Sequence, residues 1–174
     1  MFSNQKKKSI ARRFHKDKLK QLSSSRNMNT KVIKKIAVLL EESQLLTSNT
    51  FLNQLQQEFK IPLDNIQLLV FRPFQKEDVY SEFDITENDF GWYGSLKLNK
   101  LQEFVKIEYD LLINYGFEEN LYWNVITLHS LSNFKVGFTS KDDSLYDLSI
   151  SDSERNTDVL TAEMIKYLKI LKKI

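Results

Sequence analysis

The sequence predicts a three-layer α/β domain: a mostly parallel, Rossmann-like sheet with flanking helices, preceded by a basic N-terminal helix. Three observations predict it. Short apolar runs alternate with amphipathic segments from Lys35 to Lys173, the pattern of repeated βαβ units. The run NIQLLVF, Asn65–Phe71, is apolar almost without a break, as in strands covered by helices on both faces. Cations crowd the first 26 residues around a narrow apolar stripe.

Taken in order, residues 5–22 form a helix with Ile10, Phe14 and Leu22 near one face and Ala11 and Leu19 beside it. SSSRNMNT, Ser23–Thr30, reads as a linker, so residues 1–30 form an arm and residues 31–174 a single α/β domain. Lys35–Leu40 is the first strand. The next helix takes its N-cap from Thr47 or Ser48 and buries Leu52, Leu55, Phe59 and Phe51; Pro62 ends it. Asn65–Phe71 is the second strand, stopped by Pro73. Residues 74–99 are a turn-rich excursion with a short strand around Asp89–Tyr93. Asn99 caps a helix to Tyr109 that buries Leu101, Phe104 and Val105. YDLLINY is the third strand, ended by Gly116. Glu119–Ser130 is a helix, FKVGF the fourth strand and DLSIS a short fifth. The last helix, Asp158–Lys173, places Leu160, Met164, Leu168 and Leu171 on one face with Ile165 beside them, and its lysines gather at the C-terminal end, where the helix dipole favours cations.

Composition bounds the function. The 174 residues suit one domain, and 41% apolar with 12% aromatic residues supply a core. No apolar run reaches the roughly 20 residues of a membrane helix, and the N-terminus lacks the apolar stretch of a signal peptide. Without cysteine there is no disulfide frame and no thiolate metal site. A cytoplasmic protein is the expectation. The net charge of +2 hides a split: residues 1–26 hold nine Lys or Arg against Asp17, giving +8, while the other 148 residues hold 16 basic and 22 acidic side chains, giving −6.

In open α/β sheets, ligands bind beyond the carboxyl ends of the strands. That rule nominates a candidate pocket at Glu41, Ser43, Arg72, Asn114, Tyr115 and Lys141, with Glu42, Thr139, Ser140 and Asp142 nearby. The competing reading is a set of ordinary polar loops. The first βα turn, LLEESQLLTSN, has no glycine and carries two carboxylates, which argues against a dinucleotide or P-loop phosphate site. No Gly-x-Ser-x-Gly elbow occurs, and neither His15 nor His129 has a ligand partner at helical spacing, so no catalytic residue, cofactor or metal is expected. Trp123 reads as a packing residue; Trp92, between Gly91 and Gly94, reads equally as packing or as a stacking platform. Gly137, inside FKVGF, reads as a place where a helix or loop approaches a central strand.

The arm is the stronger signal. Lys6, Lys7, Lys8, Arg12, Arg13, Lys16, Lys18 and Lys20 can neutralise phosphates along a helix. RNA, including the ribosome, is the expected partner of residues 1–26. An anionic membrane surface, entered by Phe2, Ile10, Phe14 and Leu19, and a partner protein are the alternatives. The bland reading is that the stripe docks on the body and the lysines only solvate it.

At Leu39–Ser43, Ile107–Tyr115, Phe134–Thr139 and Tyr167–Ile174 the chain resembles an uncharacterised bacterial family. That family shows a basic N-terminal helix, LLxDES-like, EFDLLISY-like and FKVGFS-like segments, and a C-terminal YLKIL-K-I helix. The resemblance covers nearly the whole chain. It implies a small cytoplasmic protein and carries no catalytic residues to transfer. DLLINY, a helix and FKVGF are also similar, over about thirty residues, to the N-terminal half of heptosyltransferase-like enzymes; that likeness implies only sheet topology. The expected function is a non-enzymatic accessory protein docking on RNA through its arm. The alternatives are a transferase-like enzyme, intact or degenerate, with a site at the strand ends, and a membrane or protein adaptor.

Overall fold

Six strands form one sheet in the order β3-β2-β1-β4-β5-β6 in a computed structural model of the chain, which describes residues 2–22, 32–139 and 144–174, except for the side chains of Phe2, Ser3 and Leu22. The strands are β1 (Ile36–Glu41), β2 (Ile66–Phe71), β3 (Asp84–Ile85), β4 (Leu111–Asn114), β5 (Lys135–Phe138) and β6 (Leu148–Ile150). All five pairings are parallel. The expected parallel α/β sheet is therefore present, in the strand order of a doubly wound fold whose direction reverses between β1 and β4. The linker, Arg26, and the loop residues Ser140, Lys141, Asp142 and Asp143 lie outside the described residues.

Among the described residues five α-helices cover the sheet: α1 (Phe2–Leu22), α2 (Leu45–Phe59), α3 (Asn99–Lys106), α4 (Leu121–His129) and α5 (Thr157–Ile170). Alternation along the strands divides the core into two clusters. On one face Ile36, Val38 and Leu40 pack with Phe51, Leu55 and Phe59 of α2 and with Leu160, Met164 and Leu168 of α5. On the other, Ala37, Leu39 and Leu112 pack with Leu101 and Phe104 of α3 and with Trp123, Val125, Ile126 and Leu128 of α4. Ile10 and Phe14 of α1 join this second cluster, 0% and 6% exposed. The narrow stripe of the N-terminal helix is thus a docking stripe, and α1 lies against α4 and the turn Trp92–Gly94. Gly94, at φ +80°, bends that turn beneath the Ile10 side chain.

Several element boundaries differ from expectation. The short strand lies at Asp84–Ile85 rather than Asp89–Tyr93. Thr86 and Asp89 close a capping box that winds Glu87–Asp89 into a 3-10 turn: Thr86 N donates to Asp89 Oδ2 at 2.7 Å and Asn88 N to Thr86 Oγ1 at 3.1 Å. Helix α2 starts at Leu45, because Thr47 and Ser48 do not cap it; their hydroxyls donate back to the carbonyls of Gln44 and Leu45. Leu52 packs only partly buried against the core. Asn99 is the first residue of α3 and caps nothing, and Val105 is only partly buried. Asparagines do cap α4 and α5: Asn120 Oδ1 accepts from Tyr122 N and Asn156 Oδ1 from Asp158 N, both at 3.0 Å. The last helix ends at Ile170, which leaves Leu171 40% exposed and gives Thr161 a buried place beside Leu160 and Met164.

Candidate functional site

The register of the strands decides what meets at their carboxyl ends. Glu41 pairs with Phe71 on one side, while Asn114, the last residue of β4, pairs with Leu39 and Gly137. Glu41 therefore projects two positions beyond Asn114. The crevice between β1 and β4, where direction reverses, is closed by the protein's own polar groups. Glu41 Oε1 accepts from Asn120 Nδ2 at 3.3 Å, Glu41 N donates to Gln44 Oε1 at 2.9 Å, and Gln44 Nε2 donates to the Tyr115 carbonyl. Gly116 leaves room for this arrangement: a Cβ there would stand 3.5 Å from Glu41 Oε1 and 3.3 Å from Asn114 Oδ1. Glycines and a free helix N-terminus, the usual phosphate-binding parts, are replaced here by an amide and a carboxylate that satisfy each other.

The residues nominated from sequence fall into separate places. Ser43 is exposed on the turn after β1. Arg72, at the end of β2, is engaged by acids: its guanidinium pairs with Glu42 at 2.9 Å, Asp84 at 3.4 Å and Asp78 at 3.5 Å, and lies over the Tyr80 ring at 5.4 Å. The hydrogen bond it donates to Glu42 pushes its pKa further up. Arg72 ties the excursion after β2 to the first βα turn. Tyr115 turns into the core, 1% exposed, and stacks on Phe51 with centroids 4.2 Å apart. Burial raises its phenol pKa, against hydrogen bonds with Thr161 and Thr157. Lys141 lies outside the described residues. Of the five described, Asn114 lines a cavity at the strand ends.

That cavity is a cleft of about 190 Å³ beyond β4 and β5. Its wall is set by Gly137, where a Cβ would come within 2.7 Å of the Tyr146 ring. The loop residue Tyr146 lies flat on the glycine, and Asn114 Nδ2 donates to its hydroxyl at 2.6 Å. Asn114 Oδ1 in turn accepts from Gly116 N at 3.2 Å. Gly137 thus admits a neighbouring loop, the reading favoured from sequence, and the admitted side chain then lines the cleft. Asn124 on α4 and Arg155 complete the polar lining, with Arg155 paired to Glu118 at 2.5 Å. Sequence reasoning missed Asn124, Tyr146 and Arg155. The one available signal was Asn124 itself, a weak helix former placed mid-helix among apolar residues.

The cations of α1 divide into two sets. Lys6 is half-buried and donates to the Glu87 carbonyl at 2.8 Å; burial, with Lys97 nearby, lowers its pKa. Lys18 lies over the Phe14 ring and Arg13 pairs with Asp17 at 2.6 Å. Lys7, Lys8, Arg12 and Lys16 are exposed and make no ion pair among the described residues. Lys20 is also exposed, and Leu19 stands among these cations, 70% exposed. A second cleft, of about 410 Å³, runs between α1 and the start of α4, with Lys7, Lys8 and His15 on one wall. Trp123 is buried in the core, while Trp92 is half-exposed.

The fold and these surfaces define a doubly wound α/β domain whose sheet-covering first helix carries an outward cationic ridge. The chain belongs to the family of unknown function DUF6913, which matches it over residues 6–171 and so includes nearly all of α1. No curated protein and no solved structure matches the chain. Among the described residues no helix is long and apolar enough to cross a membrane.

Proposed function

We propose that the protein is a non-enzymatic accessory factor that docks on RNA through the outer face of α1. One observation carries the reading. Ile10 and Phe14 anchor the helix in the core, which holds Lys8, Arg12 and Lys16 on one exposed line at i, i+4, i+8. The three charges are spaced about 6 Å apart along the axis. A cationic ridge held on a folded body meets phosphates without an ordering cost for the helix. An anionic membrane is the weaker partner. The side chains that would insert, Ile10 and Phe14, already serve the core, leaving Leu19 on the exposed face; the Phe2 side chain lies outside the described residues.

The test is fluorescence anisotropy with single-stranded RNA over a salt series. Deleting the arm is the wrong variant, because it would uncover the sheet. Arg12→Gln/Lys16→Gln keeps the docked helix. The wild type should bind, and the double variant should flatten the slope of log K against log salt by about 1.4, at roughly 0.7 per lost contact. Salt-independent binding, or no change in the variant, overturns the proposal. Flotation with phosphatidylserine vesicles but no RNA binding would favour the membrane adaptor instead.

A further inference from the structure

The two clefts meet. Both are lined by Glu119 and Asn124, so a groove runs from the cations of α1 to the ends of β4 and β5. The larger, of about 410 Å³, is itself within the range of small-molecule sites, roughly 300–1,000 Å³, and the smaller adds about 190 Å³ at its end. The observation that points to a ligand is Asn124. It is 7% exposed, its side-chain amide has no hydrogen-bond partner among the described residues, and it stands where the two clefts join. The amide is not sealed in the core but open to the clefts, so its donor and acceptor are available to a ligand that enters.

The order of groups along the groove matches one ligand class. Lys7 and Lys8 stand at one end, both exposed cations suited to a phosphate. Glu119 lines both clefts at their junction. Asn124 comes next, offering a donor and an acceptor side by side, the pair that reads the edge of a base. Tyr146, fixed by Gly137 and Asn114, supplies an aromatic wall beside it. The negative charge of Glu118 at the inner end is met by Arg155.

We infer that the groove between α1 and α4 binds a 5′-phosphorylated nucleoside, with phosphate at Lys7 and Lys8 and base against Asn124 and Tyr146. The ligand comes either as a free mononucleotide or as the 5′-terminal nucleotide of an RNA. This site is distinct from the Arg12–Lys16 ridge, and the two can fail separately.

The experiment titrates the full chain with the four nucleoside 5′-monophosphates, the corresponding nucleosides, inorganic phosphate and 5′-phosphorylated tetranucleotides. The readouts are calorimetry and the side-chain amide resonance of Asn124. At least one monophosphate or tetranucleotide should move that resonance and bind more tightly than its nucleoside or phosphate alone. Movement by the tetranucleotide only identifies the RNA terminus as the source. Asn124→Leu should weaken binding about tenfold. If Asn124→Leu fails to fold, the wild-type resonance still decides. An unmoved Asn124 resonance with every ligand, or affinity fully reproduced by inorganic phosphate, overturns the inference.

Discussion

Gly137 shows how much a single position controls. The glycine is needed for what lies on it: a Cβ would press to 2.7 Å from the Tyr146 ring. Gly137→Ala should displace Tyr146, break its hydrogen bond from Asn114 and destabilise the fold by about 1–3 kcal/mol, read by chemical denaturation. Combining it with Tyr146→Ala should cost less than the two changes added, since the clash disappears with the ring. Additive losses would mean that the glycine serves something other than this contact. Gly137 was legible as a close-approach site; its partner was not, because nothing in a sequence states which loop folds over which strand. Arg72 carries the opposite lesson. Its position at a strand end made it a binding candidate, yet Glu42, Asp78 and Asp84 surround it. Pairing with residues 6, 12 and 30 positions away is a property of the folded chain.

Helix α1 is the element whose role changes most between sequence and structure. Its cations dominate a reading by composition. Its few apolar residues decide its place, because burying Ile10 and Phe14 gains about 1.5–3 kcal/mol each, more than solvated lysines offer in competition. Phe14→Ala should cost about 3–5 kcal/mol of global stability, measured by denaturant unfolding, and not merely fray the N-terminus. A variant that loses α1 helicity while the body keeps its full stability would show the helix to be an appendage. Helices α2 and α3 show why starts are harder to place than faces. Their buried residues follow the 3.6 periodicity, but Gln44 and the residues before Asn99 set their first turns through contacts made elsewhere in the fold.

Across the whole molecule, two apolar clusters share one sheet. The central strands alternate between them: Ile36, Val38 and Leu40 of β1 face one and Ala37 and Leu39 the other, as do Leu111 and Ile113 against Leu112 of β4. Neither cluster can dissolve without stripping the strands that support its neighbour. Unfolding should therefore be one cooperative transition, with far-ultraviolet circular dichroism and the fluorescence of buried Trp123 superimposing in denaturant. Separated midpoints would show that the α1, α3 and α4 layer melts on its own. The charge split belongs to the same scale: the −6 of the acidic body repels phosphates, while α1, with eight Lys or Arg against Asp17, carries +7.

The sequence by itself determined the alternation of strands and helices, the parallel sheet and the charge of the first helix. These follow from periodicity and composition, which are local. Tertiary structure alone decided that the reversal point is closed by Glu41, Gln44 and Asn120, that Tyr115 belongs to the core, and that Asn124 opens onto a groove shared by α1 and α4. Each depends on strand order and register, which bring distant residues within hydrogen-bonding range only once the sheet has formed.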